Sequence, residues 1–91
     1  MTETSHHRIK RMRMRSWRRG TKEMDMILGP FADEQLAGLD AHMLELYDLM
    51  LHENDQDLYQ WVSGQQPESA RFTPILDILR AYLRDKSKAP G

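Results

Sequence analysis

Six apolar residues near the C-terminus, Phe72, Ile75, Leu76, Leu79, Tyr82 and Leu83, recur at spacings of three and four. That rhythm puts all of them on one face of an α-helix. An isolated helix of this length is marginal in water, so the rest of the chain must supply surfaces that cover the stripe. Comparable stripes stand upstream. Met24, Ile27, Leu28 and Phe31 share one face; Met43, Leu46, Tyr47 and Met50 share another, widened by Leu44, Leu49 and Leu51; Leu58, Trp61 and Val62 form a shorter one. Strict alternation occurs only at Arg11-Met12-Arg13-Met14-Arg15, where arginine content and the lack of β-branched residues argue against a strand. The expected fold is therefore all-α, a small single-domain bundle of five helices.

Breakers place the boundaries. A first helix is expected over residues 5 to 19, ending before Gly20, with sparse apolar positions at Ile9, Met12 and Trp17. A second begins at Gly20 or Thr21, with Asp25 pointing away from its apolar stripe, and Gly29-Pro30 should kink or break it, because proline removes an amide donor and clashes with the preceding turn. The third runs from Asp40 to His52. The run from Glu53 to Asp57 is too polar to be buried and offers Asn54 or Asp55 as the N-cap of a fourth helix, which Gly64 stops. After a loop containing Pro67, Ser69 caps the fifth helix and Pro74 fits its first turn. By this division residues 1–7 are a flexible N-terminus, 8–85 the folded domain and 86–91 a flexible tail.

Charge is partitioned along the chain. The net charge of −1 conceals a net +7 over residues 1–22, −11 over residues 23–70, where no Lys or Arg occurs, and +3 over the remainder. The basic arm can dock on the protein's own acidic body, face an external anionic partner, or form a solvated helix face. Nucleic-acid binding is disfavoured, since the arm holds one aromatic residue, Trp17, and the body would repel phosphate. No apolar run is long enough to insert in a membrane. The start lacks the apolar core of a secretory signal; its Arg-rich, nearly acid-free composition imitates a mitochondrial presequence but runs directly into the folded pattern, and its shortness favours a bacterial cytoplasm over a mitochondrial matrix.

The sequence offers no catalytic constellation. There is no cysteine, and His6, His7, His42 and His52 lack metal-ligand spacing. The five glycines are scattered, so there is no cradle for a nucleotide phosphate and no tightly bound cofactor is expected. The informative stretch is Arg18-Arg19-Gly20-Thr21-Lys22-Glu23-Met24-Asp25, where charge reverses across a glycine. With Gly20 as N-cap, Glu23 would occupy the third helical position and reach back to the cap amide. Arg18 and Arg19, closing the first helix, would meet Glu23 and Asp25 at a corner where two helix ends converge. Such a corner suits docking better than catalysis.

Arg19-Gly20-Thr21-Lys22-Glu23, the Pro30-Phe31 pair and the later segment Asn54-Asp55-Gln56-Asp57-Leu58-Tyr59-Gln60-Trp61 resemble the succinate dehydrogenase assembly factor 2 family (SdhE/YgfY), marked by an RGxxE motif and a downstream D-x-D-L-x-x-W segment. The resemblance covers roughly residues 8 to 85. It implies a five-helix fold and a non-enzymatic assembly factor that promotes covalent attachment of FAD to the flavoprotein subunit of succinate dehydrogenase, and of fumarate reductase in some bacteria, the FAD being held by that partner. It implies partner contact at Arg19, Gly20 and Glu23, with Arg18 and Asp25 beside them. Asn54, Asp55, Asp57 and Trp61 match the second motif, with Trp61 expected in core packing and Asp55 as a helix cap. A monomer is expected. Replacing Gly20 with Arg is expected to block docking by bulk while leaving the helices intact. The alternative is a regulatory module whose basic first helix binds nucleic acid or an acidic protein.

Overall fold

The computed structural model describes residues 5–88. Five α-helices follow in order, α1 (Ser5–Ser16), α2 (Lys22–Gln35), α3 (Ala41–Met50), α4 (Asp55–Ser63) and α5 (Thr73–Lys88), with single 3₁₀ turns at Leu36–Gly38 and Ala70–Phe72. Residues 5–7 are thus the first residues of α1 and 86–88 the last of α5; the rest of the two expected flexible ends lies outside the described residues. The stripes legible in the sequence meet in one core. Met12, Met24, Leu28, Phe31, Tyr47, Met50, Leu58, Phe72, Ile75, Leu76 and Leu79 are all buried within it. The Phe31 ring sits 5.6 Å from that of Tyr47 and 5.4 Å from that of Tyr82, the second edge-on, so α2 is held between α3 and α5.

The Asn54 cap and the Gly64 stop expected from the sequence are present, and Asp40 adds a cap that the sequence reading did not assign. Asp40 accepts from the Met43 amide, and Asn54 from that of Asp57. Gly64, at φ +80, closes α4 with amide bonds from Gln65 to Gln60 and from Gly64 to Trp61, the left-handed ending that glycine adopts without a Cβ penalty. Ser69 differs from expectation. Its side chain makes no cap bond, and it precedes a 3₁₀ turn closed by its own carbonyl before α5 begins.

Two helix boundaries also depart from the sequence reading. Pro30 does not break α2, which is helical from Lys22 through Gln35. Proline inside a helix costs about 3 kcal/mol, but Met24 and Leu28 before it and Phe31 and Ala32 after it are all buried on one stripe, and breaking the helix would expose one pair. Helix α1 ends at Ser16 instead of running to Gly20. The amides of Trp17 and Arg18 still bond back to Arg13 and Arg15, but that of Arg19 turns to the Asp25 carboxylate at 2.7 Å. Buried Ser16 donates to the Met12 carbonyl and pairs at 2.6 Å with the fully buried Tyr47 hydroxyl, whose pKa is raised by that burial.

The loop before α5 is anchored by Arg80. Its guanidinium donates to the Trp61 carbonyl at 2.9 Å and to Glu68 at 2.6 Å, and Thr73 donates to the same carboxylate. Trp61 is half-buried, with its ring 5.9 Å from Phe72, as its expected packing role requires. The Arg80 hydrogen bond holds the Glu68 carboxyl at about 2, well below its ordinary 4.5. A carboxyl with a depressed folded-state pKa stabilises the fold above its ordinary pKa and loses that contribution as the pH falls through the folded value. Thermal melts of Glu68→Gln should therefore be lower than wild type at neutral pH, by about 1 kcal/mol. The two proteins should converge as pH falls from 4.5 toward 2. Parallel curves throughout that window would dismiss the Arg80 anchor.

Candidate docking corner

The turn from Trp17 to Thr21 is built from both directions. On one side the Trp17 indole lies against Gly29 of α2 and donates to Asp33 at 3.1 Å. On the other, the Arg19 side chain turns inward. Its Nε reaches Asp55 Oδ1 at 2.8 Å, one terminal nitrogen the Leu51 carbonyl at 2.6 Å and the other the Glu53 carbonyl at 2.7 Å. These acceptors suit a cation. Carbonyls beyond the end of α3 lie at the negative end of its dipole, and Asp55 opens α4. With side-chain exposures of 9% and 13%, Arg19 and Asp55 form a nearly buried pair joining the α1–α2 turn to the α3–α4 turn.

This geometry separates the eight candidate residues into two sets. Arg19, Asp25, Asn54, Asp55 and Asp57 bond to one another or to nearby backbone: Asp25 takes the Arg19 amide, and Asn54 accepts from the Asp57 amide at 2.8 Å while its own side-chain amide donates to the Asp57 carboxylate at 3.0 Å. Asp25 is half-buried at the turn, and its expected meeting with Arg19 is made through the Arg19 amide. Asp55 is the first residue of α4 and the partner of Arg19; the cap is Asn54. Arg18, Gly20 and Glu23 are exposed, and among the described residues the Arg18 and Glu23 side chains have no ion pair or hydrogen bond. Neither arginine closes α1, for both lie in the turn beyond Ser16.

Gly20 is not the N-cap either. Thr21 holds that position, with its hydroxyl accepting from the Met24 amide at 3.4 Å, and Glu23 falls one place earlier in the helix than expected. Gly20 has φ +103, where side chains are strained, although a Cβ there would meet only Asp55 Oδ2 at 3.8 Å. Gly20→Arg would therefore strain the turn as well as add bulk, so it cannot isolate docking.

Beside this corner lies an open cleft of about 360 Å³ lined by Thr21, Glu23, Met24, Asp55, Gln56 and Tyr59. Met24 is its buried floor, while Tyr59 is 40% exposed. Tyr59 and Gln56 escaped the sequence reading; the available signal was that both fall off the Leu58–Val62 stripe of α4, leaving an aromatic ring without core to cover. No described helix is long and apolar enough to cross a membrane, and the described residues include no cluster of three or more His, Asp or Glu that could hold a metal.

The basic arm serves the protein's own acidic body in large part. Arg11 binds Asp48 through two nitrogens at 2.8 and 3.0 Å, Arg8 lies 3.6 Å from the same carboxylate, and Arg13 lies 3.3 Å from Asp33. The Arg11 bond, with the neighbouring cations, lowers the Asp48 pKa.

Comparison with known proteins gives consistent results. The sequence model of a family described as the flavinator of succinate dehydrogenase matches residues 10–83. Proteins named succinate dehydrogenase assembly factor 2, mitochondrial, are similar to this chain. The one from Cryptococcus neoformans is 33% identical over 73 residues, covering 78% of this chain and 42% of that protein. That from Aspergillus terreus is 40% identical over 67 residues, 74% of this chain and 22% of the relative. That from Schizosaccharomyces pombe is 31% identical over 86 residues, 92% and 62% respectively. The chain thus spans between about a fifth and three fifths of the length of these relatives. The expectation of a bacterial cytoplasmic protein is overturned, because the matched relatives are fungal and insect proteins named as mitochondrial.

Proposed function

The chain belongs to the family of succinate dehydrogenase flavinators, and on that premise we propose that it is an assembly factor that binds the flavoprotein subunit of succinate dehydrogenase and promotes covalent attachment of FAD. The observation that carries the reading is the Arg19–Asp55 pair, which fixes a turn whose outward face presents Gly20 and the unpaired Glu23 beside an open cleft. A prefixed surface of this kind binds without the entropy cost of ordering itself. FAD stays with the partner in this proposal. The cleft beside the corner is open to solvent and lined by Glu23 and Asp55, whose carboxylates would repel a nucleotide phosphate.

The chain's contribution is orientation. By holding the flavoprotein in the conformation that aligns its histidine with the flavin methyl position, it would lower the attachment barrier by several kcal/mol, with no reacting group of its own. Arg18, Gly20 and Glu23 are assigned to direct contact; Arg19, Asp25, Asn54, Asp55 and Asp57 are assigned to positioning. The corner is complete within one chain, so a monomer suffices. The same assay run with a fumarate reductase flavoprotein decides whether that subunit is also served.

Glu23→Lys tests the reading, because Glu23 is exposed and its side chain has no partner among the described residues. The variant should melt like wild type yet bind the isolated flavoprotein subunit at least about tenfold more weakly. It should also fail to restore fluorescence of covalently bound flavin on the denatured subunit in cells lacking this gene. Wild-type affinity in the variant would remove the corner from the interface.

A further inference from the structure

On the other side of Arg19 is a second open groove, of about 370 Å³, lined by Arg11, Met14, Arg15, Arg18 and Arg19. Arg11, Met14 and Arg15 follow the i, i+3, i+4 spacing that brings residues to one face of α1, and Arg18, in the turn beyond Ser16, borders the same groove. Their charges are unequally engaged. Arg19 is held by Asp55 and Arg11 by Asp48, whereas Arg15 has only a 3.5 Å approach to the Leu51 carbonyl and Arg18 has no side-chain partner among the described residues. Met14 lines the same groove, 47% exposed, on a helix whose opposite side buries Met12 completely.

We propose that this groove binds a short acidic peptide segment, its carboxylates taken by the Arg15 and Arg18 guanidiniums and an apolar side chain laid on Met14. Guanidinium forks match carboxylates in planar two-point contacts, and exposed methionine adapts to varied apolar shapes. The charge distribution argues for a short peptide over a nucleic acid. Residues 23–70 carry eleven acidic and no basic side chains, so a polyanion extending past the groove would meet repulsion, whereas a segment of a few residues would not. The groove shares Arg18 with the proposed corner contact but uses neither Gly20 nor Glu23, and because the peptide titration contains no flavoprotein it would stand if the flavinylation reading fell.

The probe is an acidic hexapeptide alternating aspartate and leucine, titrated into the full ¹⁵N-labelled chain. Saturable shifts should appear at the amides of residues 11 to 19, weaken as salt rises above about 0.15 M, and vanish for the peptide with asparagine in place of aspartate. Arg18→Glu, at a side chain with no bonding partner among the described residues, should melt like wild type and bind at least about tenfold more weakly. Glu23→Lys should bind as wild type does. Equal binding by Arg18→Glu, no saturation by about 5 mM peptide, or tighter binding of a duplex oligonucleotide at the same salt would each overturn the proposal.

Discussion

Arg19→Ala should lower the free energy of urea unfolding by about 3 kcal/mol, a large share of what a domain of this size possesses. The estimate follows from what the truncation leaves behind. Asp55, with 13% of its side chain exposed, loses its partner cation, and the carbonyls of Leu51 and Glu53 lose their guanidinium donors. An unpaired buried acceptor costs about 1–3 kcal/mol, more when it is charged. Arg19→Lys distinguishes charge from shape. A lysine retains the cation, but its compact ammonium cannot span Asp55 Oδ1 and two carbonyls in the planar fan that the guanidinium occupies. It should recover roughly half of the lost stability and little of the flavoprotein affinity, because the turn carrying Gly20 would no longer be fixed. Adding Asp55→Ala to Arg19→Ala should cost much less than the sum of the two single changes, with a coupling of about 2 kcal/mol. A midpoint within error of wild type for Arg19→Ala would show that the pair holds nothing together, and the separation of contact from positioning residues would fall with it.

That separation shows where the sequence stops being legible. The apolar stripes, the Asn54 cap and the Gly64 ending are local patterns, and local geometry decides them. The direction of Arg19 is set by acceptors 32 to 36 residues away in the chain. Nothing in Arg-Gly-Thr-Lys-Glu distinguishes an arginine offered to a partner from one closing a turn. The basic arm is similar: its charge predicts attraction to the −11 body, but only the packing of α1 against α3 and α2 shows that Arg8, Arg11 and Arg13 are paired while Arg18 is not. The early end of α1 was hidden for the same reason. Helix propensity favours continuing through Trp17, Arg18 and Arg19, yet the Asp25 carboxylate and the surface of Gly29 offer these residues better partners outside the helix.

Gly29 carries the other large effect. The sequence suggested no role for it beyond a breaker next to Pro30, but a Cβ at this position would lie 2.5 and 2.6 Å from Cε2 and Cε3 of Trp17, which no packed structure tolerates. Two mechanisms then compete in Gly29→Ala. Alanine in a helix interior is favoured over glycine by about 1 kcal/mol, though a residue preceding proline is disfavoured in helical conformation once it has a Cβ, which reduces that gain. Against this, displacing the indole forfeits its stacking on α2 and its hydrogen bond to Asp33, and overpacking of this kind costs about 1–3 kcal/mol. The overlap is larger than the propensity, so Gly29→Ala should destabilise by about 2 kcal/mol. It should also loosen the turn that carries Arg18 and Gly20. The same change made in Trp17→Ala should be close to neutral, because the obstructing ring is gone and only the propensity and pre-proline terms remain. Urea titrations of the four proteins decide between the causes. If Gly29→Ala costs the same with and without the indole, the clash with the following proline is responsible and Trp17 does not need the glycine. A cost confined to the tryptophan background means that α2 gives up a side chain at Gly29 so that the end of α1 can be seated on it.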